Sequence, residues 1–143
     1  MISLEWDTKL NPSVEIMNIQ YSKIAECINT INDEIVDMQQ SCTQINGLLD
    51  QLKQLCQILF MYEEQLLEEV NFPTITEQKH LHDLYLKSIE QFRAENYQCH
   101  SASFFNGFIK LRVDFLSNMN KETMILCDML TNNPSGDTTD TFH

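Results

Sequence analysis

Glycine and proline are scarce in this chain of 143 residues, with three of each. Both residues interrupt helices, so their scarcity favours long, continuous helices. No apolar run approaches the roughly 20 residues that a membrane-spanning helix requires. The first residues also lack a basic region followed by an apolar core. We therefore expect neither a membrane span nor a signal peptide.

Positive charge is scarce as well, because nine Lys and Arg residues stand against 21 Asp and Glu, for a formal net charge of −12. Such an acidic chain is expected to bind neither nucleic acid nor an anionic membrane. No Ser or Cys has a neighbouring His at the spacing of a known catalytic motif, so an enzyme is not expected.

The cysteines form no Cys-x-x-Cys pair. They are Cys27, Cys42, Cys56, Cys99 and Cys127. An odd, dispersed set predicts reduced thiols in a cytoplasmic protein rather than a disulfide framework, and it argues against a zinc site. Cys27 and Cys56 are expected to be buried and unreactive. His100 has no ligand spacing with another candidate.

Apolar residues recur at helical spacing in four stretches, which predicts an all-α, up-down-up-down four-helix bundle over residues 1–130. Residues 1–16 are expected to be a non-helical arm anchored by Trp6, and residues 131–143 a disordered polar tail. The four predicted helices run from Met17 to Met38, from about Thr43 to Val70, from Thr74 or Thr76 to about Glu95, and from Ser101 or Ser103 to about Leu130.

Two polar residues interrupt these apolar patterns. Glu63 lies on the stripe of the second helix and His82 on that of the third. Both are therefore predicted to point into the interior from neighbouring antiparallel helices. Glu64, by contrast, is expected on the solvated face of the second helix, together with Glu68 and Glu69. A buried charge without a partner is costly, so each needs a partner or a metal ion.

The order of these residues resembles that of the bacterial hemerythrins. That family has His-Phe-x-x-Glu-Glu, a Tyr-Pro turn and His-Lys-x-x-His. This chain has Leu59-Phe60-x-x-Glu63-Glu64, Phe72-Pro73 and Gln78-Lys79-x-x-His82. Trp6, Leu10, Gln20, Ile24, Ile28 and Asn29 match the opening of the family. In the fourth helix the family pattern falls on Leu111, Phe115 and Asn120, and a register one turn away would place Met119 and Met124 there.

The resemblance implies two irons held by five histidines, a glutamate and an aspartate, and reversible binding of dioxygen. Of those seven positions, Glu63 and His82 remain. Four histidines are replaced by Tyr21, Leu59, Gln78 and Phe115, and the bridging aspartate by Asn120. One imidazole and one carboxylate cannot hold two cations, so we predict a bundle without a cofactor whose larger side chains fill the space.

Two classes of function follow. The first is a non-enzymatic, metal-free bacterial protein that acts in the cytoplasm as a protein–protein interaction or regulatory module, because the resemblance implies signalling or motility roles. Its protein partner is unidentified, and a homo-oligomer is left open. Here Glu63 and His82 form a buried hydrogen-bonded pair completed by Gln78 and Tyr21. The second is residual binding of a metal (a single iron or zinc ion), dioxygen or a small ligand at Glu63 and His82, with Tyr21 as a third ligand.

Overall fold

Four α-helices make up most of the structure, a computed structural model that describes residues 12–37, 41–95, 99–115, 117, 124–126 and 128–129. They are α1 (Pro12–Val36), α2 (Cys42–Glu69), α3 (Ile75–Glu95) and α4 (Ala102–Asp114). Each helix packs against the next one, and α1 also packs against α4. The prediction of an all-α, up-down-up-down bundle is thereby confirmed. Among the described residues, no helix has the length and apolar character needed to cross a bilayer.

Serine side chains begin two of the helices. Ser41 Oγ accepts a hydrogen bond from the backbone N–H of Thr43 at 3.1 Å, and Ser101 Oγ accepts one from Phe104 at 3.1 Å. Both satisfy a backbone donor that the first turn of a helix leaves without a partner. Asn71 has a φ of 54°, a left-handed conformation that Asn tolerates better than most residues. It turns the chain from α2 into α3.

The predicted start of the first helix is wrong, because α1 begins at Pro12 and residues 12–16 belong to it rather than to an arm. Proline suits the first helical position, where its fixed φ fits and its missing N–H is not needed. The arm with Trp6, Asn120 and the tail of residues 131–143 lie outside the described residues. Residues 124–126 and 128–129 are helical, as the predicted fourth helix requires.

The predicted apolar faces form the core. In α2 the apolar spacing predicts a buried stripe that begins at Leu48, but the buried face is turned slightly from it, since Leu49 is fully buried whereas Leu48 is half-buried. The fully buried side chains with the largest volumes come from α1, α2 and α4 and from the residue after α4: Tyr21, Phe60, Phe104, Phe108 and Phe115.

Ion pairs join α2 to α3 along their outer sides. Lys79 Nζ lies 2.6 Å from Glu68 Oε1, Arg93 Nε lies 2.7 Å from Asp50 Oδ1, and Lys53 pairs with Glu90. Exposed pairs contribute little stability each. Here the ion pairs help to align α2 with α3, which are the helices that carry Glu63 and His82.

A disulfide between Cys42 and Cys99 joins the start of α2 to the turn before α4. The expectation of reduced thiols is therefore wrong for this pair. The partners are 57 residues apart, and pairing at that distance cannot be deduced from sequence spacing alone. Cys27 and Cys56 are buried free thiols, as predicted.

Candidate functional site

The fold brings Glu63 of α2 and His82 of α3 together in the bundle interior. Both residues are 1% exposed, and they are the buried charged or polar residues among those described. His82 Nε2 lies 3.9 Å from Glu63 Oε1. That distance suits an ion pair and is longer than a hydrogen bond.

Glu64 holds the other side of the His82 ring. Its Oε2 lies 2.7 Å from His82 Nδ1, and its side chain is 26% exposed. The sequence places Glu64 on the solvated face of α2, and that interpretation is wrong. A carboxylate on Nδ1 keeps a proton there, so Nε2 is the nitrogen that faces Glu63.

Aromatic rings fix the plane of the imidazole. Phe60 stacks on His82 with ring centroids 4.1 Å apart and an interplanar angle of 2°. Tyr85 meets Phe60 edge-on at 6.3 Å and donates a hydrogen bond from its hydroxyl to the carbonyl of Leu111 at 2.9 Å. The ring of His82 is therefore held on one face by Phe60 and at Nδ1 by Glu64.

Tyr21 of α1 lies in the same interior. It is fully buried and packs on Phe115 with ring centroids 5.1 Å apart. Burial raises the pKa of its phenol well above the usual value, and the negative charge of Glu63 raises that pKa further. The hydroxyl oxygen is hidden from solvent and has no hydrogen-bond partner among the described residues.

Gln78 stands one helical turn before His82 on the same face of α3. Its Oε1 atom is also hidden from solvent and has no hydrogen-bond partner within the described part of the chain. Gln78 and Tyr21 were expected to complete a hydrogen-bond network around Glu63 and His82. These two oxygen atoms do not do so.

Two other replaced positions are filled by apolar side chains. Leu59 and Phe115 are fully buried and have no lone pair to offer a metal ion. Phe115 instead packs between Tyr21 and Tyr85, with ring centroids 5.1 and 5.8 Å away. The seventh position, Asn120, lies outside the described residues.

The interior cluster, defined here as Tyr21, Glu63, Gln78 and His82, thus draws oxygen and nitrogen atoms from three helices. Helical bundles commonly build metal sites in this way, with side chains from facing helices projecting inward. The class that the fold and the cluster define is a four-helix bundle with polar donors at its centre.

Curated relatives of the chain carry the name bacteriohemerythrin. The relative from Stenotrophomonas maltophilia (strain R551-3) is 25% identical over 93 residues, which is 65% of this chain and 60% of the relative. Those from Pseudomonas paraeruginosa and Pseudomonas aeruginosa are each 24% identical over the same lengths. The chain therefore spans about 60% of the length of the relatives it matches. No family model matches the chain, and no solved structure matches it significantly. The resemblance to bacterial hemerythrins is confirmed, at a distance.

The expectation that the protein has no cofactor is wrong. The matched relatives are bacteriohemerythrins, and the family they are named for holds iron. A second group of ligating side chains also contradicts it, because the fold brings His100 to Cys42 and Cys99. His100 was expected to have no partner with ligand spacing, and that expectation is corrected too.

The interior cluster fits one metal ion better than two. Two irons would need donors at positions 59 and 115, and the side chains there are Leu and Phe. A single ion can be offered a phenol oxygen, a carboxylate, an amide oxygen and an imidazole nitrogen. Two of these atoms, Tyr21 Oη and Gln78 Oε1, are buried oxygens with no other partner among the described residues, which is costly in the absence of a ligand.

Proposed function

We propose that this protein binds a single iron ion in its bundle interior and uses it to bind a small ligand rather than to catalyse a reaction. Glu63, His82 and Tyr21 are its proposed ligands, and the amide oxygen of Gln78 is a fourth. The observation that carries the proposal is the pair of buried oxygens of Tyr21 and Gln78, which find no protein hydrogen bond beside the Glu63 and His82 pair.

The chemistry of the donor set supports iron. Imidazole and carboxylate are common ligands of non-haem iron, and a phenolate favours the ferric ion. Glu64 supports the same choice, because metal-binding histidines usually donate their second ring N–H to a carboxylate or carbonyl. A bound iron would supply a Lewis-acidic and redox-active centre in an otherwise apolar interior.

An open groove of about 590 Å³ on the surface lies beside this centre. Its lining residues are Gln54, Gln57, Ile58, Phe60, Met61, Glu64 and Leu86. Phe60 and Glu64 are also the residues that touch the His82 ring. Phe60 and Glu64 therefore lie between the groove and the His82 ring, which makes the groove the proposed route of access for a small ligand.

The first experiment measures metal content by mass spectrometry on untagged protein, together with the visible absorption spectrum of the same sample. We expect one iron per chain and a visible charge-transfer band from the phenolate of Tyr21. The Tyr21→Phe variant keeps the ring and should lose the band. Two irons per chain, or none after loading with iron, would overturn the proposal.

A matched pair of variants on α2 tests the carboxylate ligand. Glu63→Gln removes a buried carboxylate, whereas Glu69→Gln removes an exposed one six residues later on the same helix. Iron content should fall in the first variant and stay unchanged in the second. Circular dichroism of both proteins controls for loss of the fold.

The protein partner and the cytoplasmic location remain predictions. One observation favours a protein contact, since Ile58 and Met61 beside the groove are 53% and 71% exposed and exposed apolar side chains on one face are typical of interaction surfaces. A second copy of the chain is the partner that is easiest to test. Sedimentation of wild type and Met61→Glu over a range of concentrations should show weaker association in the variant, and identical monomeric profiles would contradict it.

A further inference from the structure

A second group of potential ligands lies at one end of the bundle, away from the interior cluster. We define this end cluster as Cys42, Cys99 and His100. Cys42 is the first residue of α2, whereas Cys99 and His100 occupy the turn before α4. One ligand atom from each of the three side chains lies within 4.8 Å of the others.

We propose that the end cluster is a redox-controlled metal site, which binds a thiophilic cation such as Zn²⁺ when the Cys42–Cys99 disulfide is reduced and releases it when the disulfide forms. Two cysteine sulfurs and one imidazole nitrogen are a common donor set for zinc. With three protein ligands, a fourth position would be left to water, as in sites that keep an open coordination position.

The surroundings of Cys42 favour the thiolate that a zinc ion needs. The N-terminal end of a helix carries partial positive charge, and a thiol placed there ionises more readily. In addition, the backbone N–H of Cys99 donates a hydrogen bond to Cys42 Sγ at 3.3 Å. These two effects act on the same sulfur atom and come from separate segments of the chain.

The exchange balances as a two-electron reaction. A dithiol reductant gives two electrons and two protons to the disulfide, which becomes two thiols while the reductant becomes a cyclic disulfide. Zinc binding then releases the two thiol protons. In the reverse direction hydrogen peroxide takes two electrons from the two thiolates and two protons from the solvent, which yields the disulfide and two water molecules, and zinc leaves.

Access favours attack at one of the two sulfurs. Cys42 is half-buried, whereas Cys99 is 1% exposed. A reductant would therefore reach Cys42 first, and Cys99 would be the leaving thiol. In both states the start of α2 stays tied to the turn before α4, by a covalent bond or by a metal ion, so the exchange need not open the bundle.

The test titrates zinc into reduced and oxidised protein against a coloured chelator under anaerobic conditions. Both proteins carry Glu63→Gln so that the interior cluster does not contribute. We expect one zinc per reduced chain, at least 100-fold weaker binding in the oxidised chain, and release of the zinc by one equivalent of peroxide. Equal zinc binding in both redox states would overturn the proposal.

Two variants locate the site. Cys42→Ser and His100→Ala should each weaken binding to the reduced chain, whereas the matched control Cys56→Ser, at a buried cysteine far along α2, should not. Since a variant could misfold, wild-type protein gives a second measurement. Zinc should protect Cys42 and Cys99 from alkylation, as read by peptide mass spectrometry, and equal alkylation with and without zinc would contradict the proposal.

Discussion

The interior cluster and the end cluster are two ways of placing ligating side chains in one helical bundle. The interior cluster sits among apolar side chains, where Glu63 and His82 are 1% exposed. The end cluster lies at helix ends and in a turn, where a covalent bond already joins two of its members. Burial of charge costs stability, whereas a disulfide adds it. A charged group in the core therefore needs compensating partners, whereas the cysteine pair at the end of the bundle can be reduced or oxidised at a smaller cost in folding stability.

The largest expected effect comes from unbalancing the interior cluster. In metal-free protein, His82→Leu would leave Glu63 buried without the imidazole and should lower the free energy of unfolding by about 3–5 kcal/mol. Urea denaturation measures the change.

Two further variants test the cause of that loss. The double variant Glu63→Leu/His82→Leu removes both polar groups and should recover much of the stability, because two apolar side chains leave no charge uncompensated. His80→Leu, at an exposed position on the same helix, should change little. A His82→Leu loss no larger than that of His80→Leu would show that the pair does not interact in the folded protein.

Much of the fold could be predicted from the apolar spacing of the sequence, and so could two members of the interior cluster, whereas Tyr21 and Gln78 were placed beside them through the resemblance to the hemerythrins. Apolar residues at helical spacing define four helices, and a polar residue on such a stripe is easy to notice, which is how Glu63 and His82 were found. The starts of α2 and α4 were predicted to within one residue for the same reason, at about Thr43 and at Ser101 or Ser103, since a helical stripe follows each. These features all depend on residues that are close in the sequence.

The remaining features depend on contacts between distant segments. Glu64 was assigned to solvent because a helical pattern cannot show that its carboxylate reaches His82 across the α2–α3 interface. Cys42 and His100 were set aside because nothing in their spacing predicts that residues 58 apart meet. The space around Gly47 is also set by distant segments, and no atom outside its own helix lies within 4 Å of a Cβ placed there.

Reducing the disulfide should have the second largest effect. Opening the link between residues 57 apart frees the unfolded chain and should lower the free energy of unfolding by about 2–4 kcal/mol. Urea denaturation with and without a dithiol reductant, in the presence of a chelator, measures it. The Cys42→Ser variant should be insensitive to the reductant, and a reductant effect of equal size in that variant would mean that the effect arises elsewhere.

A smaller effect is expected at the α3–α4 contact between the two clusters. A Cβ on Gly107 would lie 2.7 Å from Cε1 of Phe92, so Gly107→Ala should cost about 1–3 kcal/mol through overpacking. Gly47→Ala is the matched control, since open space surrounds that position and Ala favours helix by about 1 kcal/mol. Thermal unfolding of the two variants should therefore shift in opposite directions, and a shift of the same sign would show that α3 can move away from α4 at no cost.

Alkaline pH should destabilise the interior, where two buried phenols lie. Burial raises the pKa of Tyr21 and of Tyr85 well above the usual phenol value. Between the usual value of about 10 and the folded value, the folded protein binds more protons than the unfolded one, so stability falls as pH rises above about 10. Unfolding measured at pH 9 and 11 should show a smaller difference in Tyr21→Phe than in wild type. An equal difference in both proteins would assign the loss to other groups.

The smallest effect is a difference in alkylation rate between the buried thiols and the cysteine at the start of α2, and it involves no change in stability. Burial raises the pKa of the Cys27 thiol to about 11, and it raises that of Cys56 as well. At pH 8 a thiol with the pKa of Cys27 is ionised in only about one molecule in a thousand, and the thiolate is the reactive form.

After reduction, Cys42 at the start of α2 should therefore be alkylated far faster than Cys27 or Cys56 in the folded protein, as followed by peptide mass spectrometry over time. All three should react at similar rates in urea, which controls for the reagent. If Cys27 reacted as fast as Cys42 in the folded protein, the difference between buried interior thiols and ligand-competent thiols at the end of the bundle would be lost.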